Sequence, residues 1–194
     1  MSFSDAIFAF SITIVLLSIE VPNFASNVSE SDFLNELWNL GSSFETYAIS
    51  FGIIGIYWIG YHRLFNNVSG SHPLIVGLNL VFLFFITLIS LFTVLNFRYG
   101  SLQIAFILFQ IILVLTGFML PIIWITAVRT KSVLGHISPS LNKLILLQSS
   151  TPPLVFLASI GISFISLDVA QYFWLTIIPA RIIVNKKLAP NKTI

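Results

Sequence analysis

Asp5 is the first residue of this chain whose setting demands a reason. It lies in Phe3-Ser4-Asp5-Ala6-Ile7-Phe8-Ala9-Phe10-Ser11-Ile12-Thr13-Ile14-Val15-Leu16-Leu17-Ser18-Ile19-Glu20, an apolar run in which a carboxylate facing lipid would be expensive. Ser4 adjoins it, Thr13 lies midway and Glu20 closes the run. Such groups can position or attract ions, but they lack the company that catalysis needs. No intramembrane carboxylate pair, His-Glu-x-x-His or Gly-x-Ser-x-Gly occurs, so the tools of metalloprotease, glycosidase and serine-hydrolase chemistry are missing. The count of Cys is 0, which removes thiolate nucleophiles, thiolate metal sites and disulfides. His62 has no second His or carboxylate at ligand spacing, and reads as a hydrogen-bonding partner across helices rather than a metal ligand. No cofactor and no fixed metal site are expected. Asp5 is then either a first-turn charge, favourable to the helix dipole by up to about 1 kcal/mol, or one member of a buried network; neither role is catalytic.

The helix that must carry these groups has two polar stripes. At about 100° per residue, Ala6, Thr13 and Glu20 share one line with Phe10, Leu17 and Ile14 beside it, while Ser4, Ser11 and Ser18 lie roughly opposite. One stripe can pack on neighbouring helices through small residues and the other can face a cavity, and an ion pore is the expected use. Two plainer accounts compete. Thr13 can bond back to the carbonyl of Ala9, and Phe10, Ile14 and Leu17 are side chains that lipid also accepts.

Composition fixes the class. Of 194 residues, 57% are hydrophobic and 8% charged, against roughly a quarter charged in soluble domains, so an all-α integral membrane protein is expected. A net charge of +2 is too small for nucleic-acid binding. Six spans are predicted within one domain covering 1–194: helix 1 over residues 3–21, helix 2 over 43–65, helix 3 over 73–97, helix 4 over 101–128, helix 5 over 141–167 and helix 6 over 169–184. Helix 1 lacks a basic leader and a cleavage site, so it reads as a retained span. Because the chain starts almost inside it, an upstream extension is expected. Residues 21–40 read as an acidic aqueous loop, with a short interfacial helix around Phe33 to Trp38; Asn27-Val28-Ser29 has the form of a glycosylation sequon that also arises by chance. Gly52, Gly55 and Gly60 would allow close helix contact in helix 2. Pro121 would kink helix 4, and Pro152-Pro153 would break regular bonding in helix 5.

Charge sets the expected orientation. Arg63, Arg129, Lys131, Lys143, Arg181, Lys186, Lys187 and Lys192 fall on the side of the even-numbered turns and the C-terminus, and Arg98 alone on the other. Both termini are therefore expected in the cytoplasm of a cell-membrane protein. Glu20, Glu30, Asp32, Glu36, Glu45 and Asp168 form the mirror image, leaving Asp5 alone among basic neighbours.

Phe3-Ser4-Asp5 opening the first span, Ala6-Ile7-Phe8-Ala9 and the Ile12-Thr13 pair, with Trp58, His62 and Leu64-Phe65 closing the second, resemble the transmembrane protein 175 family of potassium channels. The resemblance implies a homotetramer in the lipid bilayer, with one six-span repeat per subunit and a pore lined by helix 1. It implies a constriction at Phe10, Ile14 and Leu17 and a selectivity layer at Thr13. It also implies a structural motif in which Phe3, Ser4 and Asp5 are held by Trp58 and His62. The family motif carries an Arg four residues before its Phe, a position upstream of Met1, while Phe10 stands where Ile or Leu is common and Tyr61 where a second His is frequent.

The expected function is a leak-type potassium channel. No Thr-Val-Gly-Tyr-Gly filter and no voltage-sensing Arg repeat is present, so selection must rest on another device. An apolar constriction would favour the ion that sheds water more cheaply, potassium rather than sodium, and other alkali cations are expected to pass less well. Potassium would pass transiently, and a ring of Glu20 carboxylates would concentrate cations at the outer mouth. The rival is a small secondary transporter of the inner membrane, weakened because Pro121 and Pro152-Pro153 have no counterpart in helices 2 and 3. A membrane enzyme lacks catalytic groups, and a purely structural subunit leaves the polar stripe of helix 1 without use.

Overall fold

A computed structural model describes residues 2–19, 28–69, 72–135 and 137–188. The described helices are α1 (Ser2–Leu17), α2 (Glu30–Phe65), α3 (Pro73–Tyr99), α4 (Gln103–Arg129), α5 (Pro139–Ser163), α6 (Leu167–Tyr172) and α7 (Ile177–Leu188), with a 3-10 turn, Phe173–Thr176, between the last two. No strand is present among the described residues; a lone antiparallel bridge pairs Val68 with Val133.

Local chemistry starts each helix. Ser29, Ser138 and Ser166 accept backbone N–H groups at the heads of α2, α5 and α6, meeting donors that a helix cannot satisfy itself. Pro73 and Pro139 occupy first-turn positions, where a missing N–H costs little.

The largest departure from expectation is α2. Its 36 residues take up the acidic stretch that reads as a loop, and the separate interfacial helix does not exist. Ser29 caps the helix by accepting from Asp32 N at 3.1 Å, so the Ser of the apparent sequon is a cap; Asn27 lies outside the described residues. Glu30 and Asp32 sit in the first turn, where the helix dipole favours negative charge. Charges that argued for a loop are thus the charges that suit a helix start. At 1.5 Å per residue α2 is about 54 Å long, more than the roughly 40–45 Å of a bilayer with its headgroups.

Among the described residues, four helical stretches are long and apolar enough to cross a membrane: Pro73–Tyr99, Gln103–Arg129, Pro139–Ser163 and Leu167–Lys186. This makes the chain a multi-pass membrane protein. The predicted 141–167 helix instead starts at Pro139 and ends at Ser163, because Ser166 begins a new helix. The predicted 169–184 helix is α6, the 3-10 turn and α7 in succession. The neighbouring spans shift only at their ends.

Helix α4 is the centre of the packing. In its most apolar window 67% of residues lie inside the protein, against 33%, 28% and 11% for the other three stretches. It packs mainly on α3 and α5. Pro121 lies buried within α4, and Pro152 and Pro153 lie buried within α5. Both helices run on through their prolines, and the pair in α5 is buried in protein, as its loss of regular bonding requires. The prolines cost α5 the bonds to Gln148 O and Ser149 O, yet the ring of Pro153 fills the space over Gly117. A Cβ on Gly117 would stand 2.8 Å from Pro153 Cβ, so only glycine allows this approach. Of the three glycines predicted to bring α2 close to a neighbour, Gly60 does so, whereas a Cβ on Gly55 would meet nothing within 4 Å.

Basic residues gather at one end of the bundle. There the bridge, Ser69 N donating to Ser132 O at 2.8 Å and Leu134 N donating to Asn67 O at 2.9 Å tie the α2–α3 turn to the α4–α5 loop. Arg63, Arg129, Lys131 and Lys143 lie on or beside these segments. Glu30, Asp32, Glu45 and Asp168 lie toward the opposite end, on α2 and α6.

Candidate functional site: the two faces of the first helix

Helix α1 buries one face completely. Ser4, Phe8, Ser11 and Val15 are its buried residues, spaced four, three and four apart as one face requires. This is the Ser4 and Ser11 stripe. Phe8 packs against Tyr61 and Phe82, with centroids 5.6 and 6.0 Å away, and Tyr61 stacks on Phe82 with rings 1° from parallel.

Polar bonds fix the register of that face. Tyr61 Oη donates to Ser4 Oγ at 2.8 Å, and Asn79 Nδ2 donates to the same oxygen at 3.4 Å. One hydroxyl therefore joins α1, α2 and α3. Two turns further on, Ser90 Oγ donates to the carbonyl of Ser11 at 2.6 Å.

Asp5 lies beside this network. Trp58 Nε1 donates to its Oδ1 at 3.1 Å, and His62 Nε2 lies 3.3 Å from the same oxygen. His62 Nδ1 meets Trp58 O at 3.2 Å, so both imidazole nitrogens face acceptors. The Trp58 and His62 rings stand 4.4 Å apart, locking the pair one helical turn from each other. Three of the five motif residues, Asp5, Trp58 and His62, thus share one contact, and Ser4 joins through Tyr61. Phe3 is 62% exposed and stands apart from the network.

The opposite face of α1 has no cover among the described residues. Phe10 is 60% exposed, Leu17 80% and Ile14 39%, and Thr13 is exposed beside them. The Thr13 hydroxyl donates back to Ala9 O and Phe10 O, each at 3.1 Å, which is the plain local role the sequence allowed. That bond uses the proton and leaves oxygen lone pairs free for another partner. Glu20 lies outside the described residues.

Three members of the network were not singled out by sequence reading: Tyr61 as donor to Ser4, Asn79 and Ser90. Asn79 carried a usable signal, being an amide within a strongly apolar span. Tyr61 and Ser90 carried none, since both are common in spans. Away from α1, a cavity of about 480 Å³ lies between α2, α3, α4 and α6 near Glu45, Gln110 and Trp174.

An all-helical bundle with four membrane-length apolar stretches, its first helix pinned by polar bonds, defines a multi-pass membrane protein. Residues 1–89 match the family described as endosomal/lysosomal potassium channel TMEM175. That stretch holds α1, α2 and the Ser4–Tyr61–Asn79 and Asp5–Trp58–His62 contacts. Over 86 residues the chain is 36% identical to a protein named potassium channel from Streptomyces collinus, covering 42% of this chain and 38% of that one. Over 92 residues it is 35% identical to a potassium channel from a Chryseobacterium species, covering 47% of this chain and 44% of that one. The matched stretch therefore spans less than half the length of either relative. The fold extends further: a crystal structure of a lysosomal potassium-selective channel TMEM175 homologue from Chamaesiphon minutus superposes with a TM-score of 0.77 at 23% identity, covering 95% of both chains.

Proposed function

We propose that this chain is one subunit of a leak-type, potassium-conducting cation channel, in which four copies assemble and α1 of each lines the pore. The names of the relatives support the ion, and the likeness of fold supports the architecture. The observation that carries the reading is the division of α1 into a buried face held by Ser4, Phe8, Ser11 and Val15 and an uncovered face of Phe10, Thr13, Ile14 and Leu17. A helix fixed so firmly on one side presents its other side in a defined register, which a pore built from four copies requires.

In this arrangement α1 and α2 cross the membrane with the four apolar stretches named above, giving six spans per subunit. Phe10, Ile14 and Leu17 form successive apolar rings. Such rings strip water from an entering cation and favour potassium, whose hydration is the cheaper to lose, while dewetting closes the path when the rings approach. The Thr13 oxygens, with lone pairs free, meet the partly dehydrated ion between them. Asp5, Trp58 and His62 hold the helix and touch no ion. Both termini lie on the cytoplasmic side of the cell membrane, following the basic end of the bundle, and Glu20 at the outer mouth concentrates cations.

Purified protein in liposomes under a potassium gradient tests the reading. A channel gives fast potassium flux that needs no second solute. Flux that appears only with a coupled solute would make the chain a secondary transporter, and no flux in sealed, correctly assembled proteoliposomes would remove the channel.

A further inference from the structure

Arg181 of α7 turns its guanidinium into the bundle. Its Nε is buried without a hydrogen-bond acceptor, and its Nη2 lies over α2, 3.3 Å from where a Cβ on Gly60 would stand. Gly60 is thus the opening through which the guanidinium reaches α2. Arg63, three residues on from Gly60 and therefore on the same side of α2, lines the same cleft with Gln148, Ser149 and Arg181. Gln148 Nε2 donates to Asn185 Oδ1, tying α5 to α7 and fixing the cleft's far wall.

Two guanidiniums share this cleft, and neither has a carboxylate within ion-pair distance among the described residues. Asp5 is engaged by Trp58 and His62. Glu45 accepts from Tyr172, and Glu30, Asp32 and Asp168 lie in the first turns of α2 and α6, toward the other end of the bundle. Paired cations in a membrane protein without counter-charge are costly, so an anion from outside the chain would relieve them.

The position and shape of the cleft say which anion. It lies at the basic end of the bundle, within about two turns of the C-terminal ends of α2 and α7, where the positive-inside rule puts the cytoplasmic headgroups. Its enclosed space, about 20 Å³, admits roughly one water, so a phosphate would seat at the mouth with the exposed Arg63. Exposed Ile178 and Ile182 on α7 and Leu147 on α5 offer an apolar surface beside it for acyl chains. We propose that the cleft between α2, α5 and α7 binds the phosphate of an anionic phospholipid, held by Arg63 and Arg181. Arginine suits this role because its planar fork matches phosphate oxygens in pairs, and basic pockets between spans bind anionic headgroups in this way. The site does not depend on what the chain conducts.

Thermal unfolding of the full chain in neutral detergent, titrated with dioctanoyl phosphatidylglycerol, dioctanoyl phosphatidylcholine or inorganic phosphate, tests the proposal. Phosphatidylglycerol is expected to stabilise in a saturable way and the other two much less. Arg63→Gln, an exposed position that the fold tolerates, is expected to weaken the phosphatidylglycerol affinity about fivefold, as one basic group at a membrane surface does. Arg181→Gln should weaken it at least as much if it folds. Equal stabilisation by phosphatidylcholine, or an unchanged affinity in Arg63→Gln, would overturn the proposal. Inorganic phosphate that matches phosphatidylglycerol would overturn the lipid as the source.

Discussion

Asp5 is tied to α2 because the indole of Trp58 and the imidazole of His62 converge on one of its oxygens. Removing the carboxylate leaves both donors partnerless, so Asp5→Ala should reduce thermal stability and assembly in detergent more than it alters the selectivity of channels that still form; wild-type melting and assembly would contradict this. Tyr61→Phe keeps the ring stack on Phe82 and deletes only the bond to Ser4. Bonds between membrane helices average about 0.6 kcal/mol, and a loss of about 0.5–1.5 kcal/mol in an unfolding titration is expected. Phe8→Ala, by contrast, empties a site that is 1% exposed and should cost about 3–5 kcal/mol. Thr13→Val removes the oxygen while keeping the branched shape, and reversal potentials in mixed potassium and sodium should move toward those of a less selective pore. At this scale the sequence was informative wherever a polar group stood in an apolar run. Asp5, Ser4, Trp58 and His62 could be picked out, but the donor to Ser4 could not, because nothing in a single chain says which of several tyrosines and serines meet across helices.

Helices read more unevenly. The spans from α3 to α5 were legible from long apolar runs, and their observed limits differ from the predicted ones by a few residues. Helix α2 was not, since Glu30, Asp32 and Glu36 argue equally for a solvated loop and for the head of a helix that emerges from the bilayer. The prolines of α5 were legible as lost backbone bonds and buried residues, but not as a packing surface. A proline pair breaks bonding in isolation, but burial against α4 keeps the helix continuous, and Gly117 is the other half of that contact. Gly117→Val should therefore force α4 and α5 apart, destabilising by about 1–3 kcal/mol as overpacking does. The same change at Gly55, where a Cβ meets nothing within 4 Å, should have little effect on the stability of the isolated subunit. Comparable melting temperatures for the two variants would mean that the α4–α5 contact is looser than this geometry.

Across the whole molecule, charge divides the bundle into a basic and an acidic end, and the division was readable from sequence because each turn between spans carries mainly one sign. The pore could be framed but not fixed by the same means, since lipid and a narrow ion path both accept Phe, Ile and Leu. What favours the pore is the pairing of a fixed face with an uncovered one on α1. Four Phe10 rings at one level leave little room for a hydrated ion, which makes this position the most sensitive probe. Potassium flux and alkali-cation selectivity should be compared in liposomes for the wild type, Phe10→Ala, and Phe84→Ala on the exposed face of α3. The account predicts higher flux and weaker discrimination for Phe10→Ala alone; equal conductance and wild-type selectivity in both variants would contradict the placement of this face of α1 along the ion path.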